Sequence, residues 1–290
     1  MKKIKILIPI YNDWQSVFKL MENINSEVSN LDAEFSAIIV NDASNENRPE
    51  FSLNLDNIKS IKVINMKENR GHARCNASGL KYIIENEEFD YVIPMDGDGE
   101  DRPQEIKNFF DNLNYSPDTP IVGERVKRSE GLFFKLCYLI HKIITIVFTG
   151  QSIKFGNYTF LPKSTVQKMV NEKATWSSFS GSLAKVEKDR ETISSERGTR
   201  YYGPSKMSFK KLMIHSLSII GVFKINVLIR SILFLLVYTF LIHQKISIIM
   251  LIPVILVLAL IASVFVLSKR ENLNELNNSL KNINNIENLK

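Results

Sequence analysis

Four carboxylates crowd into six residues of this chain, Asp96-Gly97-Asp98-Gly99-Glu100-Asp101, directly after an apolar run that ends at Met95. Like charges this close repel one another unless a cation sits among them, and hard carboxylate oxygens suit Mg²⁺ or Mn²⁺. Asp-Gly is also ordinary turn chemistry, so a solvated turn is the rival reading. Polar groups end three earlier apolar runs or follow them: Tyr11-Asn12-Asp13, Asn41-Asp42-Ala43-Ser44 and Asn69-Arg70-Gly71-His72. Asp42 can accept hydrogen bonds from a base or ribose, while Arg70 beside the small Gly71 would let a phosphate approach closely. A last group, Arg197, Arg200, Ser205 and Lys206, precedes the long apolar runs near the end of the chain. Simple attraction to anionic lipid is one account of these cations, and Lys210 and Lys211 fit that description better.

The elements that must position these groups alternate. Ile4 to Ile10 reads as a buried strand, followed by a helix with Trp14, Val17, Phe18, Met21, Ile24 and Val28 on one face. Phe35 to Val40 and Ile61 to Asn65 are the next strands, His72 to Asn86 a helix, and Tyr91 to Met95 the fourth strand. Pro103 to Leu113 starts with proline as a helix should, and Thr119 to Gly123 is a further short strand. Such alternation predicts a mostly parallel sheet wrapped by helices, with ligands beyond the carboxyl ends of its strands. Asp42, Arg70, Asp96 and Asp98 then share one cleft.

The final third changes character. Ile246 to Leu267 is 22 residues without a charge, enough to span the ~30 Å hydrocarbon core as a helix. Val227 to Ile242 is shorter and carries Arg230 near its start, where the long side chain can snorkel to the interface; an interfacial or re-entrant helix is the alternative. Only His243-Gln244-Lys245 separates the runs, so they predict a tight hairpin. Lys206, Lys210, Lys211 and Lys224 before it, and Lys269 and Arg270 after it, place both flanks on the cytoplasmic side. The apolar start of the chain is too short for a signal peptide, and two cysteines among 290 residues fit a reducing compartment. A net charge of +6 fits membrane-flanking lysines and an anionic substrate, with no basic and aromatic array for nucleic acid. The four histidines share no spacing that suggests zinc.

Taken in order, Ile8-Pro9-Ile10-Tyr11-Asn12-Asp13, Val40-Asn41-Asp42-Ala43-Ser44, Asn69-Arg70-Gly71 and Met95-Asp96-Gly97-Asp98 resemble the inverting family 2 glycosyltransferases, whose α/β fold is Rossmann-like and called GT-A. Val122-Gly123-Glu124-Arg125 resembles a strand-end Gly-x-Arg element, and Phe155 to Leu161 an acceptor-side strand. Arg197 to Ser208 is similar to the Arg-x-x-Gly-x-Ser-Lys segment of the polyprenyl-phosphate, dolichol-phosphate-mannose-synthase-like branch. The likeness runs through about residues 1–270. It implies that Asp98 ligates a metal on the sugar-nucleotide diphosphate with Asp96 beside it, both catalytic, the metal being Mg²⁺ or Mn²⁺. It also implies that Pro9, Tyr11, Asn12, Asp42, Arg70, Gly71, Asp96 and Gly97 bind the nucleotide sugar.

The expected organisation is a catalytic domain over 1–205, a juxtamembrane amphipathic segment over 206–225, a transmembrane hairpin over 226–268 and a polar Asn-rich tail over 269–290. The absence of a Gln-x-x-Arg-Trp segment favours transfer of a single sugar. No acidic pair occupies Thr175 to Ser180, where members with hydroxyl acceptors carry a general base. A phosphate monoester, whose second pKa is about 6, needs no such base. The expected activity is therefore hexose transfer from a UDP- or GDP-sugar to polyprenyl (undecaprenyl-type) phosphate. It takes place at the cytoplasmic face of the inner membrane by a multi-pass protein, with Arg197, Arg200, Ser205 and Lys206 on the acceptor phosphate. The alternatives are a hydroxyl acceptor on a lipid-linked glycan, which would need an acid such as Asp189 or Glu191, and a non-catalytic membrane scaffold. The greasy run within Gly131 to Thr149 is expected either on the membrane or against the sheet. Leu273, Leu276, Leu280 and Ile283 are spaced as in a short coiled coil and allow a homo-oligomer, although biased composition is the plainer explanation.

Overall fold

The computed structural model describes residues 1–113, 116–127, 132–204, 208–244 and 247–290, without the side chains of 127 and 132–135. Its centre is β1 (Lys2–Ile10), which pairs in parallel with β2 (Ala33–Asn41) on one side and β4 (Tyr91–Pro94) on the other; β3 (Ile58–Met66) extends the parallel set beyond β2. Past β4 come β6 (Phe155–Pro162), antiparallel to both its neighbours, then β5 (Ile121–Lys127), and β7 (Glu191–Glu196) parallel to β5. Nearly every residue of β1 is buried, with no alternation, because helices cover both faces of the sheet. Ile4, Ile6, Ile8 and Ile10 face a core shared with α1 (Trp14–Glu27) and α3 (Ile106–Asn112). Leu7 faces the opposite core, beneath α2 (His72–Asn86), α5 (Lys163–Val170) and α6 (Phe179–Val186). The expected α/β architecture is the one observed.

Two helices at the end of the chain are long and apolar enough to cross a membrane, α8 (Lys224–Ile242) and α9 (Ile248–Ser268). Their outward side chains are bare to an unusual degree, with Phe240 at 73 % and Ile248 at 86 % exposure. α7 (Phe209–Gly221) precedes them, burying Ser218 to Gly221 while Phe209 and Met213 stay exposed. α4 (Leu132–Thr149) packs along α8, where Phe148 meets Phe234 edge-on. It leaves Leu136, Leu139, Ile140 and Ile143 uncovered, so its apolar surface is shared between the hairpin and the outside rather than spent on the sheet. Arg230, although exposed, reaches α4: its Nη1 donates to the Val147 carbonyl at 3.1 Å, and Asn226 Nδ2 donates to the Thr149 carbonyl at 3.1 Å. These donors satisfy orphan carbonyls at the C-terminus of α4.

The Asn-rich tail differs most from its expected form. After α9 the chain makes a short helix α10 (Leu273–Asn277), a 3₁₀ turn at Ser279–Asn282, and β8 (Ile283–Asn288), which pairs antiparallel with β3 and completes the eight-stranded sheet. Glu287 receives Arg48 Nη2 and Asn65 Nδ2, each at 2.6 Å, and Glu275 receives Trp176 Nε1 at 2.6 Å. Leu276 is fully buried with Ala77 and Trp176, while Leu280 and Ile283 pack on the core beneath α2. The leucine spacing thus serves docking within the chain. The open edge of β3 supplied the missing partner.

Candidate active site

The carboxyl ends of β1, β2, β3 and β4 lie side by side, and the polar residues that follow them form one cleft, as the alternation predicted. Pro9 is buried within β1, while Tyr11 beyond it is 41 % exposed. Asn12 takes a left-handed φ of 53° and holds the loop after β2: its Nδ2 donates to Asn45 Oδ1 at 2.6 Å, and its Oδ1 accepts the Asn45 amide at 2.9 Å. Asp42 is buried, and its two oxygens accept the amides of Arg70 at 3.0 Å and Gly71 at 2.8 Å. Burial raises its carboxyl above the ordinary value, and the two amides only partly offset this. Gly71 has a φ of 91°, which a side chain would strain. Arg70 itself turns to Glu68, with Nε 2.8 Å from Oε1.

The carboxylate cluster sits on the tight loop after β4. Gly97 faces inward, where a Cβ would lie 2.8 Å from Val17 Cγ2, so its smallness serves packing against α1. Gly99 has a φ of 88° and lies under the Tyr201 ring, which a Cβ would meet at 2.4 Å. Asp96 Oδ1 is 3.3 Å from both His72 Nε2 and Asn157 Nδ2, and these two partners are 2.5 Å apart. Asp101 is buried, accepts the Asp96 amide at 2.9 Å, and lies 3.7 Å from Arg125 Nη2. Asp98 accepts the Glu100 amide on one oxygen at 3.0 Å and Arg200 Nη1 on the other at 2.7 Å.

The segment after β7 covers this loop. Tyr201 donates its amide to the Asp98 carbonyl at 2.9 Å and receives Asn23 Nδ2 on its hydroxyl at 2.7 Å. Arg200 bridges Asp98 and Asp13, and Arg197 pairs with Glu100. The two arginines expected on an acceptor phosphate therefore share ion pairs with the acidic loop. Ser205 and Lys206 lie outside the described residues.

The electrostatics of the loop are those of a site with excess negative charge. Burial works against the Asp96 anion, but the imidazole of His72, aided by Arg125 and Asn157, more than compensates and holds this carboxyl well below the usual range. With Asp96 ionised, its neighbours resist ionising: burial first and the charge of Asp96 second push Asp98 up to about 6 and Asp101 up to about 7. Desolvation opposes a charged His72, yet Asp96 beside it raises its pKa. Burial, followed by the charges of His72 and His141, holds His215 on α7 down at about 4, so this ring is neutral near pH 7.

This donor set fits a divalent cation with a diphosphate. Among the described residues no three acidic, histidine or cysteine side chains converge as a complete metal cage. Mg²⁺ typically takes one or two protein carboxylates and completes its shell with substrate phosphates and water, and Asp98 with Asp96 offer that number. His72 and Asn157, which fix Asp96, escaped the sequence reading. The signal available was that His72 directly follows Asn69-Arg70-Gly71, at the start of the helix expected over His72 to Asn86. Asp189 and Glu191 lie elsewhere: Glu191 pairs with Ile121 at the amino ends of β7 and β5, at the end of the sheet opposite the acidic loop.

Comparison with known proteins agrees with this arrangement. The undecaprenyl-phosphate 4-deoxy-4-formamido-L-arabinose transferase of Proteus mirabilis (strain HI4320) is 28 % identical over 218 residues, covering 73 % of this chain and 64 % of that protein. Its counterpart in Photorhabdus laumondii is 27 % identical over 221 residues, covering 73 % and 65 %. The chain thus spans just under two thirds of the length of these curated relatives. Among solved structures, glucosyl-3-phosphoglycerate synthase from Mycobacterium tuberculosis, in complex with Mn²⁺, UDP-glucose and phosphoglyceric acid, superposes with a TM-score of 0.56 at 11 % identity, covering 78 % of this chain and 80 % of that one. S. aureus TarS 1-349 in complex with UDP-GlcNAc gives 0.51 at 14 % identity, covering 79 % and 69 %. At these identities the likeness is one of fold, and the fold is GT-A. Residues 5–179, which carry β1 to β6 and the acidic loop, match glycosyl transferase family 2, and the chain belongs to that family.

Proposed function

We propose that this chain is a membrane-anchored, metal-dependent glycosyltransferase that moves one hexose from a UDP- or GDP-sugar to polyprenyl phosphate on the cytoplasmic face, with inversion at the anomeric carbon. The observation that carries the reading is Arg200 on Asp98. It joins the basic segment that leads into the apolar hairpin to the carboxylates at the donor end of the sheet, so a lipid phosphate and a sugar diphosphate would meet in one cleft. A divalent ion held by Asp98 and Asp96 would supply the positive charge that a departing nucleoside diphosphate needs.

The remaining work falls to positioning. Asp42 orders the Arg70-Gly71 loop for the nucleotide, and His72 with Asn157 keeps Asp96 ionised and aimed. Arg197 and Arg200 offer planar guanidinium forks to phosphate oxygens. The acceptor, with a second pKa of about 6, arrives as a nucleophile already largely deprotonated, so no general base is required. The place of Asp189 and Glu191 at the amino end of the strands, away from the acidic loop, speaks against the hydroxyl-acceptor alternative, which relied on one of them. The exposed apolar surfaces of α4, α8 and α9 support insertion beside the membrane.

The test is purified full-length protein in lipid nanodiscs, given Mg²⁺ or Mn²⁺, polyprenyl phosphate and a panel of sugar nucleotides. Release of a nucleoside diphosphate together with a glycosylated lipid by mass spectrometry is the expected result, and Asp98→Ala should lower turnover by about a hundredfold or more. No product with any donor of the panel would overturn the reading.

A further inference from the structure

We propose that the tail returning from the apolar hairpin forms the outer wall of the donor's nucleoside end, with Asn274, Asn278 and Lys281 contacting the base; this rests on the glycosyl-transfer reading above. β8 runs antiparallel to β3, so the segment just before it, the 3₁₀ turn and α10, arrives at the carboxyl ends of the strands, where the ligand lies. There it grips the loop that Asp42 holds from the other side. The Lys67 amide donates to the Asn282 carbonyl at 2.7 Å, and Asn282 Nδ2 donates to the Glu68 carbonyl at 3.2 Å. Residues 67–71 are thereby fixed between the tail and Asp42.

Between this loop and the tail lies an open cavity of about 660 Å³, lined by Lys67, Arg70, Asn274, Asn278, Lys281 and Asn282 among others. That volume is within the range of small-molecule sites. Its position suits the far end of the donor: from β4, whose following loop carries Asp98, to β3 is three strand spacings, about 14 Å, close to the length of an extended nucleoside diphosphate. Its chemistry suits a neutral heterocycle better than a second phosphate. Arg70 is engaged by Glu68, and Lys67 Nζ donates to the Lys281 carbonyl at 2.9 Å. Asn278 donates its Nδ2 to the Asn274 carbonyl at 2.8 Å, leaving its Oδ1 as an acceptor. The exposed Asn274 amide offers both a donor and an acceptor. Glu275, bonded to Trp176 and 4.0 Å from Arg74 Nη2, anchors the wall to α2.

The experiment measures binding of UDP, GDP, CDP, ADP and inorganic pyrophosphate to the full chain in nanodiscs with Mn²⁺. Asn274→Ala and Lys281→Ala should each weaken the preferred nucleoside diphosphate by about tenfold, the loss of one hydrogen bond, and leave pyrophosphate unchanged. Asn274→Asp, which replaces the amide donor with an acceptor at constant shape, should reorder the bases. Nucleotide binding that all three variants leave untouched, or pyrophosphate binding weakened as much as nucleotide binding, overturns this inference alone. Failure of the unaltered chain to bind any nucleoside diphosphate overturns the glycosyl-transfer reading and this inference with it.

Discussion

Asp42 shows how a buried carboxylate can serve a site without touching the reacting atoms. Both its oxygens are used by the backbone of the loop after β3, and that loop has no regular secondary structure of its own to hold it. In Asp42→Asn one acceptor becomes an NH₂ group that faces an amide N–H, so that amide loses its partner and is repelled, while the other stays bonded to the remaining oxygen. The expected cost is about 1–3 kcal/mol of stability, seen as a lower Tm. A rise of about tenfold in the donor KM should accompany it, with a smaller change in kcat, because the loop orders the nucleotide rather than the leaving group. A kcat loss with unchanged KM would contradict this assignment. The place of Asp42 at a strand end was legible in the sequence, but its partners were not. They are main-chain amides almost thirty residues away, which side-chain types do not encode. The same holds for Arg200, whose bond to Asp98 spans 102 residues of sequence and forms only once β7 has docked beside β5.

Elements, in contrast, were read well wherever hydrophobic periodicity or an apolar run specified them. α2 occupies the expected His72 to Asn86, and β1, β2 and β3 each contain the expected strand. The failure was β8: Ile283-Asn-Asn-Ile-Glu-Asn has no alternation of period two, and its strand state is imposed by the edge of β3 rather than by propensity. A charged feature also binds elements together. Lys5 projects from β1 to the face opposite Ile4 and Ile6, and Glu87, just past α2, meets it at 2.9 Å and Lys62 of β3 at 2.5 Å. Only 7 % of the Glu87 side chain is exposed, yet the two lysines overcome its burial and lower its pKa from 4.5. A carboxyl whose folded pKa is depressed stabilises the fold above its unfolded pKa, and this contribution disappears as pH falls through the folded value. Wild-type Tm should therefore decline below about pH 4.5, and Glu87→Gln should flatten that part of the curve. Glu87→Ala, which leaves Lys5 buried without its partner, should cost about 3 kcal/mol at neutral pH. A Tm profile in which Glu87→Gln declines as steeply as wild type below this pH would refute the clamp.

At the scale of the molecule, the sheet dictates how the chain can sit in a bilayer. β1 and β8 belong to one hydrogen-bonded sheet, and the apolar helices α8 and α9 lie between them in sequence. A sheet cannot be divided by a membrane, because its strands would leave unpaired backbone groups in hydrocarbon. Under the proposed membrane reading the segment between them crosses an even number of times, and the two apolar helices α8 and α9 would do so as one hairpin. On the same reading the lysine-rich flanks would put the sheet on the cytoplasmic side. In a Cys137→Ser background, where the remaining Cys75 is buried, cysteines introduced one at a time at the exposed positions Gln244 and Asn285 report opposite sides. A membrane-impermeant maleimide added to intact cells should label Gln244→Cys at the turn of the hairpin. It should label Asn285→Cys on β8 only after permeabilisation. Labelling of both from outside would place the sheet on the wrong face. Labelling of neither before permeabilisation would mean that the helices lie along the surface without crossing, and a lipid phosphate would then have to reach Arg200 from a different direction.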